Sequence, residues 1–220
     1  MKNIKAIIFD AYGTLFDVNS AAKKCKDKIG DKWESFANYW RTTQLEYTWL
    51  RSLMKRHKNF WQITEDSLDK SMKVFKIESS MKNELLDLYK ILSTFEEVPK
   101  VLNLLKQKNI KLAILSNGTP ALLNQLVKSN NLENIFNDIF SIEEVGVYKP
   151  DSKVYDIPIK KYQIQKNEVA FLSANTWDIS GGGNYGYKSI WVNRNNNIFD
   201  NLDYQPKHQV KRLDELLDII

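Results

Sequence analysis

Asp10 ends the apolar run Lys5-Ala-Ile-Ile-Phe9, so a short segment suited to burial delivers a carboxylate at its end. Three other polar clusters stand in comparable places. Ser116-Asn117 follows an apolar run, Lys149-Pro150 lies in a loop, and Ser173-Ala-Asn-Thr-Trp-Asp178 follows another apolar run. A carboxylate held away from water and aimed by a nearby cation is a nucleophile. Asp10 supplies the carboxylate and Lys149 the cation. The hydroxyls of Thr14 and Ser116 can fix or polarise neighbouring groups, and Asp178 offers a second acid. Taken singly these are weak signals: an Asp after a strand is most often a cap or turn residue, Ser-Asn-Gly a turn, and a Lys a surface group. Four such clusters aimed at one crevice are hard to assign to chance.

The elements that must aim them are legible from periodicity. The run ending at Phe9 reads as a strand buried on both faces, as in a parallel sheet. Asp10-Ala-Tyr-Gly-Thr14 reads as a loop, with Gly13 free to take unusual backbone angles. From 19 to 92 no strand-like run occurs. Trp33, Phe36, Trp40, Tyr47, Leu50 and Met54 recur at helical spacing, and further helices are expected over 64–75 and 81–92. Thr64-Glu-Asp-Ser is read as a helix start.

After Val98-Pro99, strands at 110–115, 138–142, 169–172 and 189–192 alternate with helices at 99–107, 119–129, 151–162, 176–185 and 213–220. Pro158 predicts a break or kink in its helix. Gly181-Gly-Gly183 predicts close packing on a strand or a broken turn, since each glycine costs a helix interior about 1 kcal/mol. The expected fold is a doubly wound α/β sheet of Rossmann-like type. A core of 1–16 and 97–220 is interrupted after its first strand by an all-helical cap of 17–96. Ligands of such sheets bind beyond the carboxyl ends of the strands.

Composition narrows the function classes. The 220 residues are 43% hydrophobic and 27% charged, which excludes a wholly disordered chain. Mean hydropathy is −0.45 and the apolar runs are short, so no membrane span is expected. No small-residue cleavage site follows the first strand, which argues against a secretory signal and for a cytoplasmic protein. One cysteine, Cys25, and two histidines, His57 and His208, exclude a disulfide framework and make a zinc centre improbable. The net charge of +5 is diffuse, and its densest run, Lys23 to Lys28, is interrupted by Asp27. It reads as a solvated surface rather than a nucleic-acid site.

The ordered set Asp10-x-x-x-Thr14, Ser116-Asn117, Lys149-Pro150 and the acidic segment ending in Asp178 resembles the haloacid dehalogenase superfamily. The likeness spans essentially the whole chain, and in that superfamily the first Asp is a covalent nucleophile. Two departures separate the chain from the magnesium phosphatases that make up most of it. Tyr12 replaces the acid two residues after the nucleophile, and a phenol of ordinary pKa about 10 is a poor acid at neutral pH. Ser173 replaces the first acid of the last motif.

Charge agrees: Asp10 and Asp178 balance Lys149 and Arg41. A phosphate dianion beside Asp10 without Mg²⁺ would cost roughly 1–4 kcal/mol per like-charge contact at about 4 Å. A monocarboxylate adds less charge, and a leaving halide needs no proton.

The chain is most similar to the L-2-haloacid dehalogenase branch. The matching segments are Phe9-Asp-Ala-Tyr-Gly-Thr-Leu-Phe-Asp17, Tyr39-Trp-Arg-Thr-Thr-Gln-Leu-Glu-Tyr47, Ser116-Asn-Gly-Thr119 and Ser173-Ala-Asn-Thr-Trp-Asp178. This resemblance implies hydrolysis of short-chain (S)-2-haloacids to (R)-2-hydroxyacids through an ester on Asp10, with no metal and no cofactor. By the same resemblance Ser116 and Lys149 bind the substrate carboxylate. Arg41 and Asn117 receive the halide beside Phe60, while Ala11 (through its backbone), Tyr12, Leu45 and Trp177 line the pocket.

Thr14, Tyr155, Ser173 and Asn175 support the reaction, and water is activated near Asp178. A homodimer through the cap is also implied. Each assignment has a plainer counterpart: Arg41 as a surface helix residue, Phe60 and Trp177 as core, Tyr155 as packing. The alternatives are a Mg-dependent phosphatase of a small metabolite and a non-enzymatic member that binds a partner through its cap.

Overall fold

The computed structural model describes residues 1–220. Strand β1, Ala6–Phe9, is buried along its whole length. After it come the α-helices of an insertion: α1 (Ser20–Lys24), α2 (Lys26–Ile29), α3 (Trp33–Leu53), α4 (Phe60–Phe75) and α5 (Lys82–Tyr89). Then the alternation begins, with α6 (Val98–Lys106), β2 (Lys111–Ser116), α7 (Pro120–Ser129), β3 (Asp138–Ser141), α8 (Ser152–Tyr162), β4 (Val169–Ser173), α9 (Thr176–Tyr185), β5 (Lys188–Val192) and β6 (His208–Val210).

All six strands are parallel, in the order β3-β2-β1-β4-β5-β6. This is the expected doubly wound sheet. The chain steps outward from β1 to β2 and β3, then crosses to the other side of β1 to form β4. The strand order therefore reverses at β1, and the switch-point crevice opens at Asp10. Register levels the strand ends: Phe9 pairs with Ile114 and with Leu172, and the Asp10 N–H donates to the Leu172 carbonyl at 2.8 Å.

The helical insertion is built on α3 against α4. The Trp40 indole N–H donates to the Thr64 carbonyl at 3.1 Å, and Phe36 meets Phe75 edge-on. The insertion leaves and rejoins the sheet through adjacent segments. Phe16 forms an antiparallel bridge with Thr94, and the Asp17 N–H donates to the Ser93 carbonyl at 2.8 Å.

Several local expectations need correction. Helix α4 starts at Phe60, not at Thr64, because the Asn59 side chain caps it by accepting from the Gln62 N–H at 2.9 Å. Pro158 does not break α8. Val154, Tyr155, Ile157 and Pro158 are all buried, and that packing holds the helix through the missing hydrogen bond. The last segment is a 3-10 helix, Leu213–Asp218, rather than an α-helix. Strand β6 escapes sequence reading because three residues, one of them buried, carry no apolar run.

The glycines of α9 resolve in favour of close packing. The helix is unbroken, and a Cβ on Gly182 would lie 2.7 Å from the Phe171 ring of β4. Phe171 is itself locked between Tyr155 and Tyr187. Gly182→Ala should therefore lower stability by about 1–3 kcal/mol through overpacking, outweighing the gain of about 1 kcal/mol in helix propensity. Urea denaturation checks this, and an unchanged or raised midpoint would contradict it.

Candidate active site

The loop that carries Asp10 folds tightly after β1. The Ala11 carbonyl accepts from the N–H groups of Leu15 and Phe16 at 2.9 and 3.0 Å, and Gly13 takes φ +88° to make the turn. The turn brings the Thr14 hydroxyl to donate to Asp10 Oδ2 at 3.0 Å, while Thr14 Oγ1 accepts from the Ala174 N–H at 2.8 Å. Asn175, from the β4–α9 connection, donates its carboxamide to Asp10 Oδ2 at 2.9 Å and to the Tyr12 carbonyl at 3.2 Å. The Ser173 hydroxyl reaches the same Oδ2 at 3.4 Å. Asp10 Oδ1 accepts from Lys149 Nζ at 3.0 Å.

Lys149 is completely buried, and its ammonium also donates to Asp178 Oδ2 at 2.8 Å. Burial pulls the Lys149 pKa down, but the two carboxylates outweigh it and hold the pKa above the ordinary lysine value. Asp178 sits in the first turn of α9, fully buried, and its Oδ1 accepts from the Tyr155 hydroxyl at 2.7 Å. Burial pushes its carboxyl up to about 6. The charge of Asp10 adds to the rise, and Lys149 and the Tyr155 hydrogen bond oppose it. Burial, then the Asp178 charge, push the Tyr155 phenol well above its usual range, so it remains a donor.

Thus Asp10, Thr14, Lys149, Tyr155, Ser173, Asn175 and Asp178 form one hydrogen-bonded network. Asn117 joins through the backbone, its Oδ1 accepting from the Lys149 N–H at 3.1 Å. Ser116 is buried at the end of β2, but its hydroxyl accepts from the Gly118 N–H at 3.1 Å rather than joining that network. From the helical insertion, Arg41 reaches in: Nη2 donates to the Tyr12 carbonyl at 3.5 Å and Nη1 to Gln44 Oε1 at 2.9 Å. Phe60 is buried against the Tyr12 ring, 5.0 Å between centroids, and Tyr12 stacks on Tyr89. Leu45 lies one turn beyond Arg41, half-buried. Trp177 is half-buried and meets Trp49 of α3 edge-on at 5.5 Å; neither makes a hydrogen bond to the network.

Three contributors escape sequence reading. Arg194, just past β5, donates to the Thr14 carbonyl at 3.0 Å and to Glu97 at 2.8 Å, bracing the loop after β1. The Ser141 hydroxyl donates to the Gly118 carbonyl at 2.6 Å and ties the β2 and β3 loops together. Gln44 stands three residues after Arg41, the spacing of neighbours on a helix, and that is the one signal that could have found it.

The Lys149 ammonium fills the space between the two carboxylates, and no group of three His, Cys, Asp or Glu side chains is placed to hold an ion.

A doubly wound sheet whose switch point holds a buried aspartate–lysine–aspartate cluster beneath a helical insertion defines an α/β enzyme with its polar site beyond the carboxyl ends of the strands. The chain belongs to the haloacid dehalogenase-like hydrolase family, whose sequence model matches residues 4–186. An (S)-2-haloacid dehalogenase of Pseudomonas fluorescens is 38% identical over 218 residues, covering 98% of this chain and 96% of that protein. The crystal structure of a dehalogenase superposes with TM-score 0.98 at 34% identity, covering 100% of this chain and 98% of the other. The L-2-haloacid dehalogenase of Xanthobacter autotrophicus, solved with chloropropionic acid covalently bound, is 28% identical with TM-score 0.91 and covers 98% of both chains.

The Asp178 environment sets a pH dependence. Its pKa in the folded state lies above the ordinary carboxylate value, so protons bind the folded state preferentially. Its contribution to stability is full below about pH 4 and is lost as pH rises through about 6. Carbon-13 titration of labelled aspartate should show one carboxyl with a midpoint near 6. Tyr155→Phe should move that midpoint upward by removing a bond to the ionised form. An Asp178 carboxyl titrating in the surface range would contradict this picture.

Proposed function

We propose that the chain is an (S)-2-haloacid dehalogenase that converts short-chain (S)-2-haloacids to (R)-2-hydroxyacids and halide. The observation that carries this reading is Lys149 Nζ seated between Asp10 Oδ1 and Asp178 Oδ2, where a fixed cation organises both carboxylates. Relatives bearing that activity along the whole chain support it.

Asp10 Oδ2 is occupied by Thr14 and Asn175, whereas Oδ1 meets only Lys149. Oδ1 is therefore the attacking atom. It forms a bond to C2 from the face opposite the halogen, and the carbon–halogen bond breaks with its electron pair leaving as halide. Arg41 and the Asn117 carboxamide receive that anion, with Phe60 as an apolar wall. Ser116 and Lys149, with backbone N–H groups after Asp10 from Ala11 onward, bind the substrate carboxylate. Tyr12, Leu45 and Trp177 enclose its alkyl side.

Water then adds to the Asp10 carbonyl carbon and Asp178 takes its proton. The bond from Cγ to Oδ1 breaks as Asp178 hands that proton to Oδ1, the hydroxyacid leaves with Oδ1, and Asp10 keeps the oxygen from water and releases the second water proton to solvent. Tyr155 holds Asp178 in position through this step; Thr14, Ser173 and Asn175 hold Asp10. Residues 17–96 act as a cap over the core of 1–16 and 97–220. Two copies pair through that cap, in a cytoplasmic enzyme that takes a small haloacid and binds neither nucleic acid nor membrane.

Halide release from L-2-chloropropionate should proceed fully in EDTA, and Asp10→Asn should abolish it. With excess enzyme in ¹⁸O-water, the first hydroxyacid should carry unlabelled oxygen and Asp10 should gain the label. A strict Mg²⁺ requirement, or label in that first product, would overturn the proposal. The hydrolytic step should strengthen as pH rises through about 6, where Asp178 ionises. Separately, light scattering should give twice the 25.7 kDa chain mass, and a monomer would refute the pairing.

A further inference from the structure

Beneath Arg41 the helical insertion holds a buried polar cluster that the reaction above leaves unused. Gln44 is 1% exposed and lies one turn along α3 from Arg41. Its Oε1 accepts from Arg41 Nη1 at 2.9 Å. Its Nε2 donates to Thr64 Oγ1 at 2.7 Å and to the Tyr89 hydroxyl at 3.0 Å.

Counting protons fixes which way the amide faces. The Thr64 hydroxyl has one hydrogen and donates it to the Phe60 carbonyl at 2.7 Å, so toward Gln44 it can only accept. The NH₂ end of Gln44 must therefore face Thr64, and the carbonyl end must face Arg41.

We infer that Gln44 is a positioning residue that aims the Arg41 guanidinium at the leaving halide. The inference rests on the dehalogenase reading given above. One chain of hydrogen bonds runs from the Phe60 carbonyl through Thr64 and Gln44 to Arg41, joining the two groups that flank the halide. Guanidinium carries five N–H donors. Gln44 and the Tyr12 carbonyl each take one and the Tyr89 hydroxyl stands close enough for another, which still leaves donors for the anion. A neutral amide is the suitable acceptor. A carboxylate at position 44 would hold Arg41 equally well but cancel the positive charge that attracts the halide.

The test compares wild type, Gln44→Met, Gln44→Glu, Arg41→Lys and the Gln44→Met/Arg41→Lys pair. Two readouts are taken: single-turnover release of chloride and bromide from the L-2-halopropionates, and bromide binding measured by the bromide-induced rise in Tm, which needs no turnover. Gln44→Met should slow chloride release by about 10- to 100-fold through misplacement of Arg41. It should slow bromide release less, because bromide is the better leaving group, and it should weaken bromide binding. On the Arg41→Lys background the same change should add little, since the two act as a unit.

Gln44→Glu should bind bromide weakly near neutral pH and regain binding as pH falls. Its protonated carboxyl keeps one donor toward Thr64 and one acceptor toward Arg41, giving up only the bond donated to Tyr89. Losses that simply multiply in the double variant, or wild-type bromide binding by Gln44→Met, would overturn the positioning role and leave the dehalogenase reading standing. A wild-type protein that binds bromide through Arg41 and Gln44 yet releases no halide from haloacids would overturn that reading and leave the positioning role intact.

Discussion

One buried ammonium organises this protein. Lys149 has no exposed surface and no partner able to accept its charge except Asp10 and Asp178. Three charges this deep are tolerated because each answers another; removing one member of such a set leaves an uncompensated charge, at a cost of about 3–5 kcal/mol. That requirement reaches outward. The loop after β3 must deliver Lys149 to the switch point, and Asn117 clamps its backbone there. Helix α9 must bring Asp178 down onto the sheet, and only a residue without Cβ at Gly182 allows the helix to settle on Phe171. The glycine run and the buried Asp178 are thus two parts of one solution.

The second constraint is that the two oxygens of Asp10 are not equivalent. Thr14, Asn175 and, more distantly, Ser173 converge on Oδ2. They come from the loop after β1 and from the end of β4, on opposite sides of the strand-order reversal. The anchoring of Oδ2 therefore depends on the sheet register, while Oδ1 faces Lys149. Arg194 extends the same logic outward, since its contacts with the Thr14 carbonyl and Glu97 brace the loop from the side away from the reacting carbon.

Much of this was legible before any coordinates. The sheet could be read because its strands are buried on both faces and appear as continuous apolar runs, as in Ala6–Phe9 and Val169–Ser173. The polar residues at strand ends stood out against those runs. What could not be read has physical causes. Strand β6 is too short to carry a pattern. Helix α8 survives Pro158 through tertiary packing that local propensity does not register. Asn59 caps α4 from a stretch whose polar residues give no unique start. Ser116 has the expected location, but its hydroxyl turns to the Gly118 N–H, a choice made by loop geometry. Arg194 lies far from Asp10 in sequence and has no motif around it, so only the closed sheet reveals their proximity.

The charge arrangement also orders the two halves of the proposed reaction. In the resting site the negative charge of Asp10 is one reason the Asp178 carboxyl lies near 6. Ester formation neutralises Asp10. The bound substrate brings a carboxylate of its own to Lys149, so the substrate complex holds three anions and the ester two, Asp178 and that carboxylate. Asp178 is therefore more readily ionised in the ester than in the substrate complex. Hydrolysis restores the charge on Asp10, and departure of the hydroxyacid returns Lys149 to its position between Asp10 and Asp178. No separate switch is required, because consuming the nucleophile's charge prepares the base.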